Sequence, residues 1–470
     1  MSTAATQPDE LRAALQEHFG FEDFRPGQRK PVECVLDGRD VLAVMPTGSG
    51  KSLCYQLPAC MLEGTTIVVS PLIALMKDQV DALREFGIAA TLINSSISYH
   101  EQRARLVAMR HDEFDLVFVA PERFQNEDFL ATVADVEVDL LAIDEAHCIS
   151  KWGHDFRPDY LRLGEVREEL GEPPTIALTA TATNLVQRDI LESLGIPDAE
   201  VHISGFERPN LFFEAYSATG DEDKTERIEK LIEYWRGESV VVYCATRRQV
   251  AEVTERLRSS DRVAGSYHGG MSDRVRSRTQ EAFMAGDLPV LVATNAFGMG
   301  VDKPDVRAIV HYNIPGSLEA YYQEAGRAGR DGERADCVVL HNQRDRRVHE
   351  FFVENSFPEK EVVQSVWMML YKKGVDTHQI GSEEIADKLN RSGRPGNIHN
   401  WAVETSLKLL KEGGHLDFGV RDGFPWVAVQ DRARLRDLRV DWERLREQRK
   451  LGMRQIDDVE TYATGKGCRQ

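Results

Sequence analysis

MPTGSGKS at residues 45–52 and LLAIDEAH at 140–147 are the strings on which the fold turns. The first follows an apolar run, VLAVM at 41–45, and precedes an amphipathic stretch. That strand-to-helix setting makes a glycine-rich string a phosphate cradle. Thr47, Gly48, Ser49 and Gly50 form the loop, and the glycines let backbone amides close on phosphate oxygens. Lys51 reaches the outer oxygens and the Ser52 hydroxyl can ligate magnesium. The general pattern has glycine where this chain has Met45, so the setting carries the reading as much as the string. The second string ends a wholly apolar strand in two carboxylates, Asp144 and Glu145, at the sheet edge where ligands of open α/β folds collect. Asp144 can hold the metal, and Glu145 can orient and deprotonate an attacking water.

Short apolar runs recur at 66–70, 116–120 and 175–179, separated by amphipathic helical stretches. That rhythm predicts a parallel sheet covered on both faces. A second series, at 239–244, 290–294, 307–312 and 336–341, follows an acidic, irregular stretch at 217–226. The expected fold class is α/β, with two tandem parallel-sheet lobes hinged near 205–225. Beyond 345 the pattern predicts helices without buried strands: 359–373, a helix opened by Ser382 as N-cap, and 397–414. A hairpin follows at 415–429 with Asp422-Gly423 at its tip. Three helices and a hairpin outline a winged helix, with a helical bundle that props the lobes as the alternative. An Arg-rich helix is expected over 431–455, as a solvated connector or as part of a nucleic-acid path. The expected domains are 1–205, 206–345, 346–430 and 431–470.

With 470 residues the chain exceeds a single core. Its 42% hydrophobic and 29% charged residues are ordinary for a soluble protein, and no apolar run approaches the ~20 residues of a membrane span. A cytoplasmic location is expected, nucleoid-associated if the source is bacterial. Seven cysteines without a CxxC predict reduced, mostly buried thiols. The net charge of −19 opposes binding to a polyanion, so a nucleic-acid partner requires a local basic groove.

DEAH at 144–147, together with the 45–52 loop, LTATAT at 178–183 and QEAGRAGRDG at 323–332, resembles the superfamily 2 helicases. FRPGQ at 24–28, AHCISKWGHDFRPDY at 146–160 and VATNAFGMGVDKPDVR at 292–307 narrow the resemblance to the RecQ family of DNA helicases, over nearly all of residues 10–345. The resemblance implies RecA-like lobes, ATP and Mg2+ as cofactors, and movement along single-stranded DNA in the 3′ to 5′ direction. Unwinding of forked duplex DNA in repair and recombination is implied as well, with single-strand-binding and recombination proteins as partners. By the same resemblance Phe21, Arg25 and Gln28 read adenine, and a Gln amide can pair bidentately with N6 and N7. Gln323, Arg327, Arg330 and Asp302 fall on the nucleotide side of the second lobe, with Arg330 as an arginine finger. His147 joins the catalytic group.

Trp152, His154, Phe156 and Arg157 match the family's aromatic-rich loop, which couples strand binding to hydrolysis. Ser70, Pro71, Lys77 and Thr294 fall where the family grips the strand backbone. The final residues, DVETYATGKGCRQ, resemble the entry to a four-cysteine zinc module with Cys468 at its first ligand. The other three ligands are absent, so no zinc is expected. An RNA helicase, a DNA-binding regulator with a vestigial motor, and a translocase that remodels junctions are the competing readings.

Overall fold

The computed structural model describes residues 8–465, apart from 154, 206, 299–302, 373–376 and 393–396. The expected positions His154, Asp302 and Cys468 lie outside the described residues.

Two wholly parallel sheets organise the chain. The first comprises β1 (Val41–Val44), β2 (Thr65–Val69), β3 (Ala90–Ile93), β4 (Leu116–Val119), β5 (Val138–Ile143), β6 (Thr175–Thr179) and β7 (Glu200–Ile203), in the order β3-β4-β2-β5-β6-β1-β7. Successive strand residues face opposite sides. Val41 and Ala43 therefore enter one core while Leu42 and Val44 enter the other, each roofed by helices. The second sheet, β8 (Leu211–Ser217), β9 (Ser239–Tyr243), β10 (Ala264–Tyr267), β11 (Val290–Ala293), β12 (Val306–His311) and β13 (Ala335–His341), runs β10-β11-β9-β12-β13-β8 and divides its residues in the same way.

Within these two sheets all nine expected strands are present. The four not expected, β3, β7, β8 and β10, are the four sheet edges. An edge strand is flanked on one side only and carries alternating or polar residues instead of an apolar run, as in EVHI of β7. The hinge is correspondingly narrower than expected: β8 belongs to the second sheet, leaving residues 204–210 between the sheets. The acidic stretch at 217–226 is no irregular segment but opens the helix Asp221–Tyr234, whose Asp221, Glu222 and Asp223 sit at the favourable end of its dipole.

The C-terminal part packs helices Lys360–Lys372, Ser382–Arg391 and Asn400–Glu412 around a core of its own that includes Trp367 and Leu407. The hairpin forms as expected, from Leu416–Arg421 and Phe424–Val429, with Asp422 and Gly423 at φ 55° and 79° in a two-residue turn. Thr377–His378 adds a third strand to it. Ser382 is not an N-cap. Gly381 holds that position, and the Ser382 hydroxyl instead donates to Glu404 at 3.0 Å. The Arg-rich helix begins at Trp442, where Asp441 caps it by accepting from the Arg444 amide at 3.0 Å, and runs to Thr464. It is no free connector, because Val459 and Ala463 belong to the core of the second lobe and Tyr462 packs on Tyr321.

Lys224 and Asp345 join the second lobe to the helix Asp345–Ser356. The pair is buried, 2.8 Å apart, with Asn313 donating to the other carboxylate oxygen at 2.9 Å. Removing one partner strands the other charge. Lys224→Ala is expected to cost about 3–5 kcal/mol in denaturant unfolding.

Candidate active site

The loop at 45–52 leaves the end of β1 and enters the helix Leu53–Met61. The Met45 amide donates to the Thr179 carbonyl at 2.9 Å, and the Met45 side chain is fully buried beneath the loop, so the methionine anchors where the general pattern has glycine. Gly48 and Gly50 take φ of +81° and +76°, values that favour glycine. A side chain at Gly50 would strike the Gln28 amide at 2.7 Å, and one at Gly48 would crowd Arg208 at 3.1 Å and Arg330 at 3.4 Å. The hydroxyls of Thr47 and Ser49 are buried without a hydrogen-bond partner among the described residues. Buried, unsatisfied donors beside open glycine amides are what a phosphate group would satisfy.

Glu145 adopts a left-handed backbone, φ 49° and ψ 45°, which an ordinary side chain holds only when its surroundings enforce it. The Asp144 amide is fixed by the Val69 carbonyl at 2.8 Å, and the Glu145 amide donates to the Asp144 carboxylate at 3.0 Å. Loss of solvent pushes the Asp144 carboxyl above the usual carboxylate range, and the adjacent Glu145 pushes in the same direction against the pull of Lys51. Two half-buried carboxylates crowded beside one lysine fit a divalent cation, and hard oxygen donors such as Asp144 and the Ser52 hydroxyl suit magnesium. His147 is buried, with Nδ1 3.0 Å from the Thr179 hydroxyl and 3.3 Å from the Glu145 carboxylate. It positions Glu145 against β6.

The second lobe closes the same cleft, about 350 Å³, which Arg25, Lys51, Asp144, Glu145, Gln323 and Arg330 line together. The backbone approach is close: a side chain at Gly326 would meet the Thr47 Cβ at 3.0 Å. Arg327 also borders the cleft while donating to the Gly298 carbonyl. Sequence reasoning missed Arg208. From the connection between the sheets it donates to the Thr47 carbonyl at 2.9 Å, to Gly326 at 3.3 Å, and to Ala328 and Gly329 at 3.0 and 2.9 Å. One guanidinium thus staples the phosphate loop to the arginine-bearing loop, and burial lowers its pKa. A lone arginine in ERPN at 207–210 carries no pattern that could have marked it.

Gln28 differs from expectation. It is 2% exposed, its amide nitrogen donates to the Ser49 and Gly50 carbonyls at 3.0 and 2.9 Å, and its oxygen accepts from the Arg25 amide at 2.8 Å. Both amide hydrogens thus brace the phosphate loop in this structure. Arg25 lies alongside, donating to the Gly48 carbonyl at 3.3 Å, while Phe21 is 48% exposed and offers a stacking face.

The expected strand-gripping residues are only partly brought together. Ser70 is buried beneath the surface, and Lys77 pairs with Asp81 at 3.0 Å. Trp152 and Phe156 are half-buried, with Trp152 packed on the core of the first lobe, so neither stands free as a stacking platform. Gly153 is required sterically, since a side chain there would meet the His147 carbonyl at 2.5 Å. Arg157 reaches the Pro71 carbonyl at 3.2 Å. Thr294 and Gly153 border a second cavity of about 1010 Å³ that continues to Arg247, Trp401 and Gln455.

Arg330→Ala is expected to cut ATP turnover by about 10³-fold or more. Arg208→Ala should lower it by about 10²-fold without rescue by Arg208→Lys, because an ammonium cannot bridge four carbonyls. Steady-state hydrolysis assays measure both, and near-normal rates would remove the assignments.

Residues 25–188 match the DEAD/DEAH box helicase family and residues 223–332 match the helicase conserved C-terminal domain. The chain is 46% identical over 357 residues to the ATP-dependent DNA helicase RecQ of Bacillus subtilis, covering 76% of this chain and 60% of that one. To the probable ATP-dependent DNA helicase RecS of the same organism it is 40% identical, covering 77% and 73%. The chain thus spans about 60% of the length of that RecQ relative. Among solved structures, Mycobacterium smegmatis helicase Lhr bound to ssDNA and AMP-PNP aligns with a TM-score of 0.57 at 21% identity, over 89% of this chain and 60% of that one. Saccharomyces cerevisiae Dbp5 bound to RNA and ADP BeF3 aligns with a TM-score of 0.58 at 19% identity, over 72% and 90%. At these identities both likenesses bear on the fold alone, and the first extends beyond the two lobes. With its phosphate loop, its DEAH segment and its extended identity to these relatives, the chain belongs to the RecQ family of superfamily 2 helicases.

Proposed function

We propose that the chain is an ATP-dependent DNA helicase. It hydrolyses ATP in the inter-lobe cleft, moves 3′ to 5′ along one DNA strand and opens forked duplexes in repair and recombination. The observation that carries this reading is the convergence of Arg330 on Gly48: the second lobe reaches the phosphate loop of the first within one cleft. Lys51 and the loop amides bind the phosphates. Ser52 and Asp144 would hold the magnesium of Mg-ATP, which offsets phosphate charge. Glu145, aimed by its backbone and by His147, takes the proton of the attacking water. Arg327 and Arg330 stabilise charge that spreads over the phosphate oxygens in the transition state.

DNA as substrate is supported by the names of the RecQ and RecS relatives and by the ssDNA in the Lhr structure. The second cavity, bordered by Thr294, Gly153 and the exposed Trp401, is the proposed strand path. Residues 1–205 and 206–345 are the proposed motor lobes, 346–430 the winged-helix-like domain, and 431–470 the final helix with the start of a zinc module. No helix among the described residues is long and apolar enough to cross a membrane. A cytoplasmic site of action, nucleoid-associated if the source is bacterial, fits the proposed substrate, as do single-strand-binding and recombination partners.

A forked duplex with a 3′ tail is expected to be unwound when ATP is present, and Lys51→Ala should lower hydrolysis by about 10²-fold or more and abolish unwinding. Single-stranded DNA should stimulate hydrolysis more than RNA of matched sequence; equal stimulation would favour the RNA-helicase reading. Trp152→Ala is expected to keep basal hydrolysis and lose stimulation by DNA, and unchanged stimulation would refute its coupling role.

A further inference from the structure

Cys34, Glu200 and His202 stand apart from the nucleotide cleft and converge on a separate cavity of about 330 Å³. Cys34 lies on the helix Arg29–Leu36, while Glu200 and His202 are alternate residues of β7 and so face the same side. The Cys34 Sγ is 3.2 Å from the Glu200 Oε2 and 3.4 Å from the His202 Nε2, and those two atoms are 3.3 Å apart. Zinc bonds of about 2.3 Å to sulfur and about 2.0–2.2 Å to nitrogen or oxygen place tetrahedral ligands roughly 3.3–3.6 Å apart. The three atoms outline one face of such a tetrahedron.

We propose that Cys34, His202 and Glu200 form a zinc site with an open fourth position. A thiolate and a carboxylate balance the charge of the ion, and sulfur with imidazole favours zinc over magnesium, unlike the oxygen donors of Ser52 and Asp144. In this structure the three ligand atoms bond to one another, the Cys34 thiol donating to the Glu200 Oε2, and the neighbouring charged groups pair elsewhere. Arg39 takes the other Glu200 oxygen and also pairs with Asp37 at 2.9 Å, while Glu33 pairs with Arg29 at 2.7 Å. Lys30 is the remaining cation bordering the cavity. Cys34 is buried, whereas Glu200 and His202 are partly exposed, so the ion can enter from solvent. Three protein ligands and a solvent-facing fourth position leave the ion one open coordination site.

The ion would clamp two segments that bear on the phosphate loop. The helix carrying Cys34 starts directly after Gln28, whose amide braces that loop. The strand carrying His202 leads to Ser204, whose amide donates to the Val44 carbonyl at 3.0 Å. Sequence spacing could not reveal the site, because its ligands lie 166 and 168 positions from Cys34.

The test is a titration of the reduced, chelator-treated, nucleotide-free full chain with Co2+, following thiolate-to-cobalt charge-transfer absorption and the thermal midpoint. One equivalent is expected to give the band and raise the midpoint, with Zn2+ displacing it. Cys34→Ser should abolish the band, His202→Gln should weaken Co2+ binding by about 10²-fold or more, and Cys468→Ser should leave it unchanged. A wild-type chain without the band overturns the proposal. So does a band that survives Cys34→Ser, including one lost in Cys148→Ser, which would put the ion on His147, Cys148 and Asp155.

Discussion

Arg208 lies between the two sheets and gives its guanidinium donors to carbonyls on both sides of the nucleotide cleft. Those carbonyls lie in the two loops that border the cleft, and the Gly329 carbonyl also accepts from the Asn210 side-chain amide at 2.8 Å. A planar cation with donors spread around its rim meets all four at once, and its permanent charge tolerates the burial that lowers its pKa. The glycines at the contact follow from the same constraint. Gly48 and Gly326 sit where the lobes approach, and a side chain at either would push the arginine loop away from the phosphate loop. The proposed site exists as one cleft because this joint holds.

Charge and strain are then concentrated on a short segment. Asp144 and Glu145 crowd one half-buried place with Lys51, and Glu145 is held in a left-handed conformation. From there contiguous contacts run outward. His147 joins Glu145 to Thr179, Gly153 packs on the His147 carbonyl, and Arg157 ties the aromatic loop to Pro71. The last described helix joins this line, with the Gln448 amide donating to the Lys151 carbonyl at 3.0 Å while its far end is buried in the second lobe. Contacts from the phosphate loop and from the proposed strand path therefore meet in the same few residues, which supports the proposed coupling of hydrolysis to movement.

What was legible in the sequence follows from these packing rules. Interior strands are buried on both faces and read as apolar runs, so all nine were visible; the four edges were not, since solvent on one flank permits polar residues such as Glu200 and His202. The phosphate loop was visible despite Met45 because its strand-to-helix setting is local, and so was the turn at Asp422-Gly423. Contacts made by tertiary approach were hidden. Arg208 has no motif of its own, the full use of the Gln28 amide depends on where the loop carbonyls lie, and the burial of Trp152 depends on a core assembled from distant strands. The start of the C-terminal helix is hidden because charged and apolar residues alternate on both sides of its cap, Asp441, so no change of pattern marks the boundary.

The central claim is that ATP draws the two lobes onto one shared site and that hydrolysis releases them. The direct measurement is the distance between one fluorophore on each lobe, followed by energy transfer in the presence of single-stranded DNA. The account predicts a shorter distance with a non-hydrolysable ATP analogue than with ADP, and loss of that difference in Arg208→Ala. An identical distance in the two nucleotide states of the unmodified chain would contradict it.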